Sequence, residues 1–312
     1  MDVSVQVNGR LLSAVHGRLR AKKIGCAEVA SYFVKRLAVS EGPTARALDA
    51  IAKDADASGV ANAYHNPAHS REVAVNWFCL AQLHNAAAAD DDKISDDMML
   101  VGLSAAFGHD LGHDGHGNSD PATGRYRPFH LEALAADRVA DRMRKEGVSD
   151  GLTELARCAI LLTDARCGYP ILERSLAESP LALDPDFRPL SDPAGRRLCA
   201  MLRDADLMPS AGMTAGDYDA RTREMLIEQD LPANASDAAS TERFLDGLVG
   251  GRFLSAPGKA FQADLDDLRR LNQQRQPGRA ALADDAGQIA STVNDDELRG
   301  LIETLGLADA LA

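Results

Sequence analysis

A chain of 312 residues, 45% of them hydrophobic, is long enough to bury one large core or two ordinary ones. Asp and Glu outnumber Lys and Arg by 47 to 34, a formal net charge of -13 that disfavours long nucleic acid or an anionic membrane as partner. No apolar run is long enough to span a bilayer, the first twenty residues lack a signal-peptide layout, and the five cysteines contain no Cys-x-x-Cys pair, so they read as reduced thiols of a cytoplasmic protein.

The chain opens on a period-two alternation, Val3-Ser4-Val5-Gln6-Val7, followed by Asn8-Gly9 and Arg10-Leu11-Leu12. That pattern predicts a short N-terminal β-hairpin. From there helical periodicity takes over, and helices are expected over 26–39, 43–57, 67–88, 96–107, 128–145, 152–163, 194–207, 218–230, 241–250, 259–273 and 295–311. Strands do not alternate with helices, which excludes a doubly wound sheet and makes the fold class all-α. The aspartates between Asp90 and Asp97 lack the glycine and glutamate of a calcium loop, so they read as a solvated loop that caps the next helix. Residues 276–294 read as a polar linker before a C-terminal amphipathic helix.

Five of the eight histidines fall in two short segments. Tyr64-His65-Asn66-Pro67-Ala68-His69 places His65 and His69 four apart, a spacing that shares one helix face and lets two imidazoles address one point. His109-Asp110-Leu111-Gly112-His113-Asp114-Gly115-His116-Gly117-Asn118 repeats the spacing with His109 and His113. Its glycines predict that a helix ends here and that backbone approaches a ligand closely. Burying these imidazoles and carboxylates together needs a metal or dedicated partners. Further hard ligands follow: Glu132, the Thr163-Asp164 pair, and Asp206 at the edge of the apolar face of Leu198, Cys199, Leu202 and Ala205. His16, His84 and His130 read as ordinary surface or core residues, and Trp77 as core.

The set resembles the class I 3′,5′-cyclic nucleotide phosphodiesterases within the HD-domain phosphohydrolase superfamily. Tyr64 to His69 matches the family's Tyr-His-Asn-x-x-His. His109, Asp110, His113, Gly115 and Asn118 match its His-Asp-x-x-His-x-Gly-x-x-Asn, and Glu132, Thr163-Asp164 and Ala205-Asp206 follow in order. The resemblance spans residues 60 to 255. It implies a compact multi-helix bundle, with a hairpin-like appendage at 1–20, a metal-dependent phosphodiesterase domain at 21–275, and a linker and C-terminal helix at 276–312. It implies two divalent ions. His69, His109, Asp110 and Asp206 would hold the first, zinc with iron or manganese as alternatives. Asp110 would bridge to a second, magnesium or manganese, whose waters His113, Glu132 and Thr163 would anchor.

The implied activity is hydrolysis of cyclic AMP or cyclic GMP to the 5′-monophosphate by a metal-bridging hydroxide, with His65 as general acid and Glu228 or Glu224 as its carboxylate support. Tyr64, Asn118, Thr241 and Phe244 are the expected substrate-binding residues. The sequence departs from the family where Ser70-Arg71-Glu72-Val73 follows His69, and where Thr241 stands in place of the glutamine that reads a purine. A threonine cannot make that bidentate contact. Another small phosphodiester, a phosphomonoester or a nucleotide is therefore the alternative substrate, and a non-catalytic nucleotide-binding domain the third reading. Gly168-Tyr169-Pro170 reads as a post-helix turn, and residues 1–60 are left to regulation or a homodimer contact.

Overall fold

The structure is a computed structural model, described here for residues 7–39, 41–120, 122–177, 185–232, 235–274 and 293–311. Helices run in the order α1 Gly9–Ala21, α2 Cys26–Leu37, α3 Pro43–Ala57, α4 Pro67–Ala87, α5 Asp96–Gly108, α6 His130–Lys145 and α7 Asp150–Leu161. They continue with α8 Gly168–Ala177, α9 Pro193–Ala211, α10 Ala215–Glu228, α11 Ala238–Glu242, α12 Gln262–Gln273, α13 Asp295–Thr304 and α14 Ala308–Leu311. No strand forms among the described residues; a single bridge pairs Ser119 with Tyr126 in the loop before α6.

Three helices make the centre. In α5, every residue from Met99 to Gly108 is buried, and in α4 every residue from His69 to Ala81. A helix buried all round belongs in the interior; α5 is apolar throughout this stretch apart from Ser104, while α4 also buries Arg71, Glu72 and Asn76, and the two lie against each other with α9 packed on both. Their close approach is set by Gly102, where a Cβ would overlap the Trp77 indole. The outer helices are amphipathic and cover this core: α3 and α7 on α5, α6 on α7, and α10 on α9.

Local chemistry sets the helix starts. Asn66 accepts hydrogen bonds from the backbone N–H of Ala68 and His69, and Pro67 occupies the first turn, so α4 begins in one place. Ser95 caps α5 and Asp192 caps α9, while Asp90 to Asp92 form an exposed turn.

Two expectations are corrected. Residues 1–6 lie outside the described residues, but Arg10, Leu11 and Leu12 are helical, so the hairpin does not form through them. Asn8 instead caps α1 by accepting from Leu11 N–H, and Leu11, Leu12, Val15 and Leu19 are buried against α4, α13 and α14. Asn-Gly signals a hairpin turn and serves equally as a helix cap, and packing of the following apolar stripe decides which. Gly168-Tyr169-Pro170 is likewise the first turn of α8, where proline's missing N–H costs nothing. Residues 276–292 of the expected linker lie outside the described residues.

Substituting Gly102→Ala overpacks the α4–α5 contact. It should lower stability by about 1–3 kcal/mol, read as a reduced denaturant midpoint with an unchanged slope.

Candidate metal and acid–base site

The two histidine segments meet where the central helices converge. His69 stands in the first turn of α4, His109 at the end of α5 with Asp110 next to it, and Asp206 in the second half of α9. His69 Nε2 lies 3.1 Å from Asp206 Oδ1, 3.5 Å from Asp110 Oδ2 and 3.3 Å from His109 Nε2. His109 Nε2 is 3.2 Å from Asp110 Oδ2 and 3.3 Å from Asp206 Oδ1. The ligand atoms of His69, His109 and Asp110 thus lie mutually within reach of one ion, and Asp206 flanks both imidazoles from α9. Contacts of this length are those expected between ligands held on bonds of about 2.0–2.1 Å.

The donor set fits a cation. His109 Nδ1 lies 2.8 Å from the carbonyl of Ala106, which can only accept, so Nδ1 carries a proton and Nε2 is left facing the other three atoms. Asp110 Oδ2 is buried and has no hydrogen-bond partner. In the protein alone, burial pushes the His109 imidazole down, but Asp110 and Asp206 outweigh it and hold it well above its usual range. Burial pushes Asp206 up, but His109 and then His69, by charge and hydrogen bond, outweigh it and hold Asp206 far below the carboxylate range. Two imidazoles and two carboxylates without thiolate suit zinc, iron or manganese.

His65 occupies a different place from the one its spacing suggests. It precedes the cap residue Asn66 and lies outside α4, so it does not share a helix face with His69. Its Nδ1 lies 2.5 Å from Glu228 Oε1 at the end of α10. The other oxygen of Glu228 accepts the backbone N–H of Tyr64 at 2.8 Å and of His65 at 2.9 Å. Burial pushes Glu228 up, but the bonds and charge of His65 together with these N–H groups bring it down to about 2. Burial also pushes His65 down, and Asp110, Glu228 and Asp206 together raise it above its usual value. Glu228 is therefore the carboxylate support of His65, while Glu224 pairs with Arg221 at 2.6 Å.

His113 lies beyond the end of α5, after the turn over 109–112 in which Gly112 takes a φ of +88°, and its ring stacks on His65 with centroids 3.7 Å apart. Gly115 N–H donates to its Nδ1, leaving the proton on Nε2. Burial, then the charge of His65, bring it down to about 4, so it is a neutral imidazole. His65, His113 and Glu228 offer ligand atoms that all lie within 4.8 Å of one another, so this cluster too has the donor spacing of a cation site.

The remaining expected residues frame the loop from 109 to 132. Asn118 donates to both oxygens of Glu132, at 3.1 and 2.8 Å, and accepts Leu131 N–H, so both ends of its amide are engaged. Burial raises Glu132 to about 7. Thr163 donates to the carbonyl of Ile160. Its neighbour Asp164 is buried and accepts from Tyr126 Oη, Phe129 N–H, Arg166 N–H and Cys167 N–H, pinning this loop to the end of α7. Tyr64 is buried against the His69 ring at 4.6 Å, with its hydroxyl 3.1 Å from Ser210 Oγ.

Thr241 is buried and accepts from Tyr218 Oη at 2.9 Å, and Phe244, half-buried in the π-helical turn Arg243–Leu248, lies 6.2 Å from Tyr218. His116 and His130 are exposed, and His16 and Trp77 are core.

The sequence reading passed over Arg203 and Asp204. Both are buried. Arg203 donates to the carbonyls of Val249 and Arg252, and Asp204 accepts the N–H of Leu254 and Ser255, so they fasten the segment after Phe244 to α9 beside Asp206. Their signal was the dense charge of Arg203-Asp204-Ala205-Asp206 inside an apolar stripe.

No family model matches the chain, and no curated protein matches it in sequence. Among solved structures it is similar to the phosphodiesterase domain of Salpingoeca rosetta rhodopsin phosphodiesterase, at 15% identity and a TM-score of 0.51 over 84% of this chain and 88% of that one. A second structure, the phosphodiesterase domain of the RhoPDE fusion protein of the same choanoflagellate, aligns at 13% identity and a TM-score of 0.48 over 97% and 96% of the two chains. The chain therefore has the all-helical fold of a phosphodiesterase domain.

Because Glu228 supports the protonated form of His65, Glu228→Gln should lower the apparent pKa of His65 in the metal-free protein. Titration of its imidazole signals by NMR reads this directly; an unchanged pKa would show that Glu228 does not support the ring.

Proposed function

We propose that this protein is a metal-dependent phosphodiesterase that hydrolyses a 3′,5′-cyclic nucleotide to the 5′-monophosphate. The observation that carries the reading is the meeting of the buried His69 and His109 with Asp110 and Asp206, beside a histidine whose ring is bonded to Glu228. Divalent ions held by His69, His109, Asp110 and Asp206 would neutralise phosphoryl oxygens and lower the pKa of water, which makes it a stronger nucleophile.

The chain's own residues do the rest. His65 has its Nδ1 committed to Glu228, which leaves Nε2 to give a proton to the leaving O3′ as the O3′–P bond breaks. Glu228 offsets the positive charge that neighbouring cations would oppose, so His65 can hold that proton until it is needed. Water supplies the new P–O bond, and the products are a 3′-hydroxyl and a 5′-phosphate. His113, neutral and stacked on His65, keeps the ring in plane, and with Glu132 and Thr163 it would anchor waters around the second ion. Tyr64 closes the wall behind His69.

The engagement of Thr241 by Tyr218 favours a second reading of the substrate alone. With its hydroxyl in a buried bond, Thr241 gives weak grounds for base recognition, so another small phosphodiester would enter the same centre. The acidity of the rest of the surface disfavours long nucleic acid under either reading. Among the described residues no helix is long and apolar enough to cross a membrane.

Incubation of the metal-loaded protein with cyclic AMP, cyclic GMP and bis(4-nitrophenyl) phosphate, with and without chelator, tests this. Chelator-sensitive release of a 5′-monophosphate is expected; turnover of the aryl diester alone would leave only the second reading. His109→Ala and Asp206→Ala should each lose the tightly bound ion, measured by elemental analysis after desalting. His65→Ala should keep the ion and lose about 10²–10⁴-fold in kcat on cyclic nucleotide, with a smaller loss on the aryl diester, whose leaving group needs no proton. Equal losses on both substrates would exclude His65 as the acid.

A further inference from the structure

Charged side chains outside the site, with Glu72 and Arg221 buried among them, form a chain that leads into it. Glu72 stands one turn after His69 on α4 and is buried. Arg20 of α1 donates to its Oε1 at 2.5 Å, and Arg221 of α10 approaches the same oxygen at 3.8 Å. Arg221 also holds Glu224, one turn before Glu228, the residue that binds His65. Three helices therefore meet on one carboxylate oxygen. A second buried link runs beside the first: His16 of α1 lies 2.9 Å from Asn76 Oδ1 on α4, and Asn76 donates to the carbonyl of Ala205, next to Asp206.

Docking of α1 does not need these charges. Leu11, Leu12, Val15 and Leu19 already bury its apolar face, and an ion pair in such a place adds less stability than apolar residues of the same size would. What the pair adds is register. Glu72 can be neutralised by both arginines only if α1, α4 and α10 keep one relative position, and in that position Glu228 reaches His65 from the end of α10.

We propose that Arg20 and Glu72 are positioning residues for His65: the Arg20–Glu72–Arg221 bridge sets α10 against α4, so the N-terminal helix belongs to the acid–base machinery and is not an appendage. The kinetic consequence rests on His65 being the proton donor; the structural one does not.

The test uses the full-length, metal-loaded protein and the variants Arg20→Met, Arg20→Lys and Glu72→Gln. The His65 ring signals are first identified by NMR as those lost in His65→Asn. The expected result is that the Nδ1–H signal moves or broadens in Arg20→Met and Glu72→Gln and returns in Arg20→Lys. Metal content and KM should stay as they are, while kcat on cyclic AMP falls about tenfold and kcat on bis(4-nitrophenyl) phosphate changes by less than about twofold. An unmoved His65 signal, or equal loss on both substrates, overturns the proposal. Should Glu72→Gln fail to fold, Arg20→Met carries the test, since the Arg20 side chain is 38% exposed and its removal leaves Arg221 on Glu72. If the wild-type protein turns over neither diester, the phosphodiesterase reading fails by itself, and the His65 signal still decides the positioning.

Discussion

Two buried imidazoles, His69 and His109, each lie against the carboxylates of Asp110 and Asp206, and the rest of the structure is arranged so that they can. Like charges this close repel, and each carboxylate there remains ionised only because a cation, proton or metal, sits among them. Without a metal the protons do it, as the raised His109 and the depressed Asp110 and Asp206 indicate. The cluster exists because α4, α5 and α9 converge on it, and they can converge because Gly102 lets Trp77 lie flat against α5 and Asn66-Pro67 starts α4 in one place.

A second constraint separates the two histidines of the first motif. Asn66 ends the loop and opens the helix, so His69 faces Asp110 and Asp206 while His65 stays outside and meets Glu228. One short segment thereby faces two clusters, and its backbone N–H groups bind the same carboxylate as the His65 imidazole. The acidic surface and the demand for a locally positive centre are compatible, because several of those carboxylates are turned inward, where bound cations would reverse the local sign.

Much of the fold was legible in the sequence. The 3.6-residue periodicity located the central helices to within a turn, because α3, α4, α5 and α9 carry caps and prolines at their starts. The failures are local. Asn8-Gly9 promised a turn and became a cap, since Leu11 to Leu19 had a core to enter. Gly-Tyr-Pro promised a turn and opened α8. Motif spacing placed His65, His69, His109 and His113 near one another for a reason that is not the helical repeat: His65 precedes α4 and His113 follows the turn after α5.

By itself the sequence determined the all-helical class and singled out His69, His109, Asp110 and Asp206 in their order along the chain, because periodicity and residue chemistry are local properties. Only the tertiary structure decided which atoms face each other. It chose Glu228 over Glu224 for His65, turned Asp164 into a loop anchor, closed the Thr241 hydroxyl onto Tyr218, and tied α1 to α4 and α10 through Glu72. Each of these joins residues from separate helices, and such pairings depend on how helices pack, which no local pattern encodes.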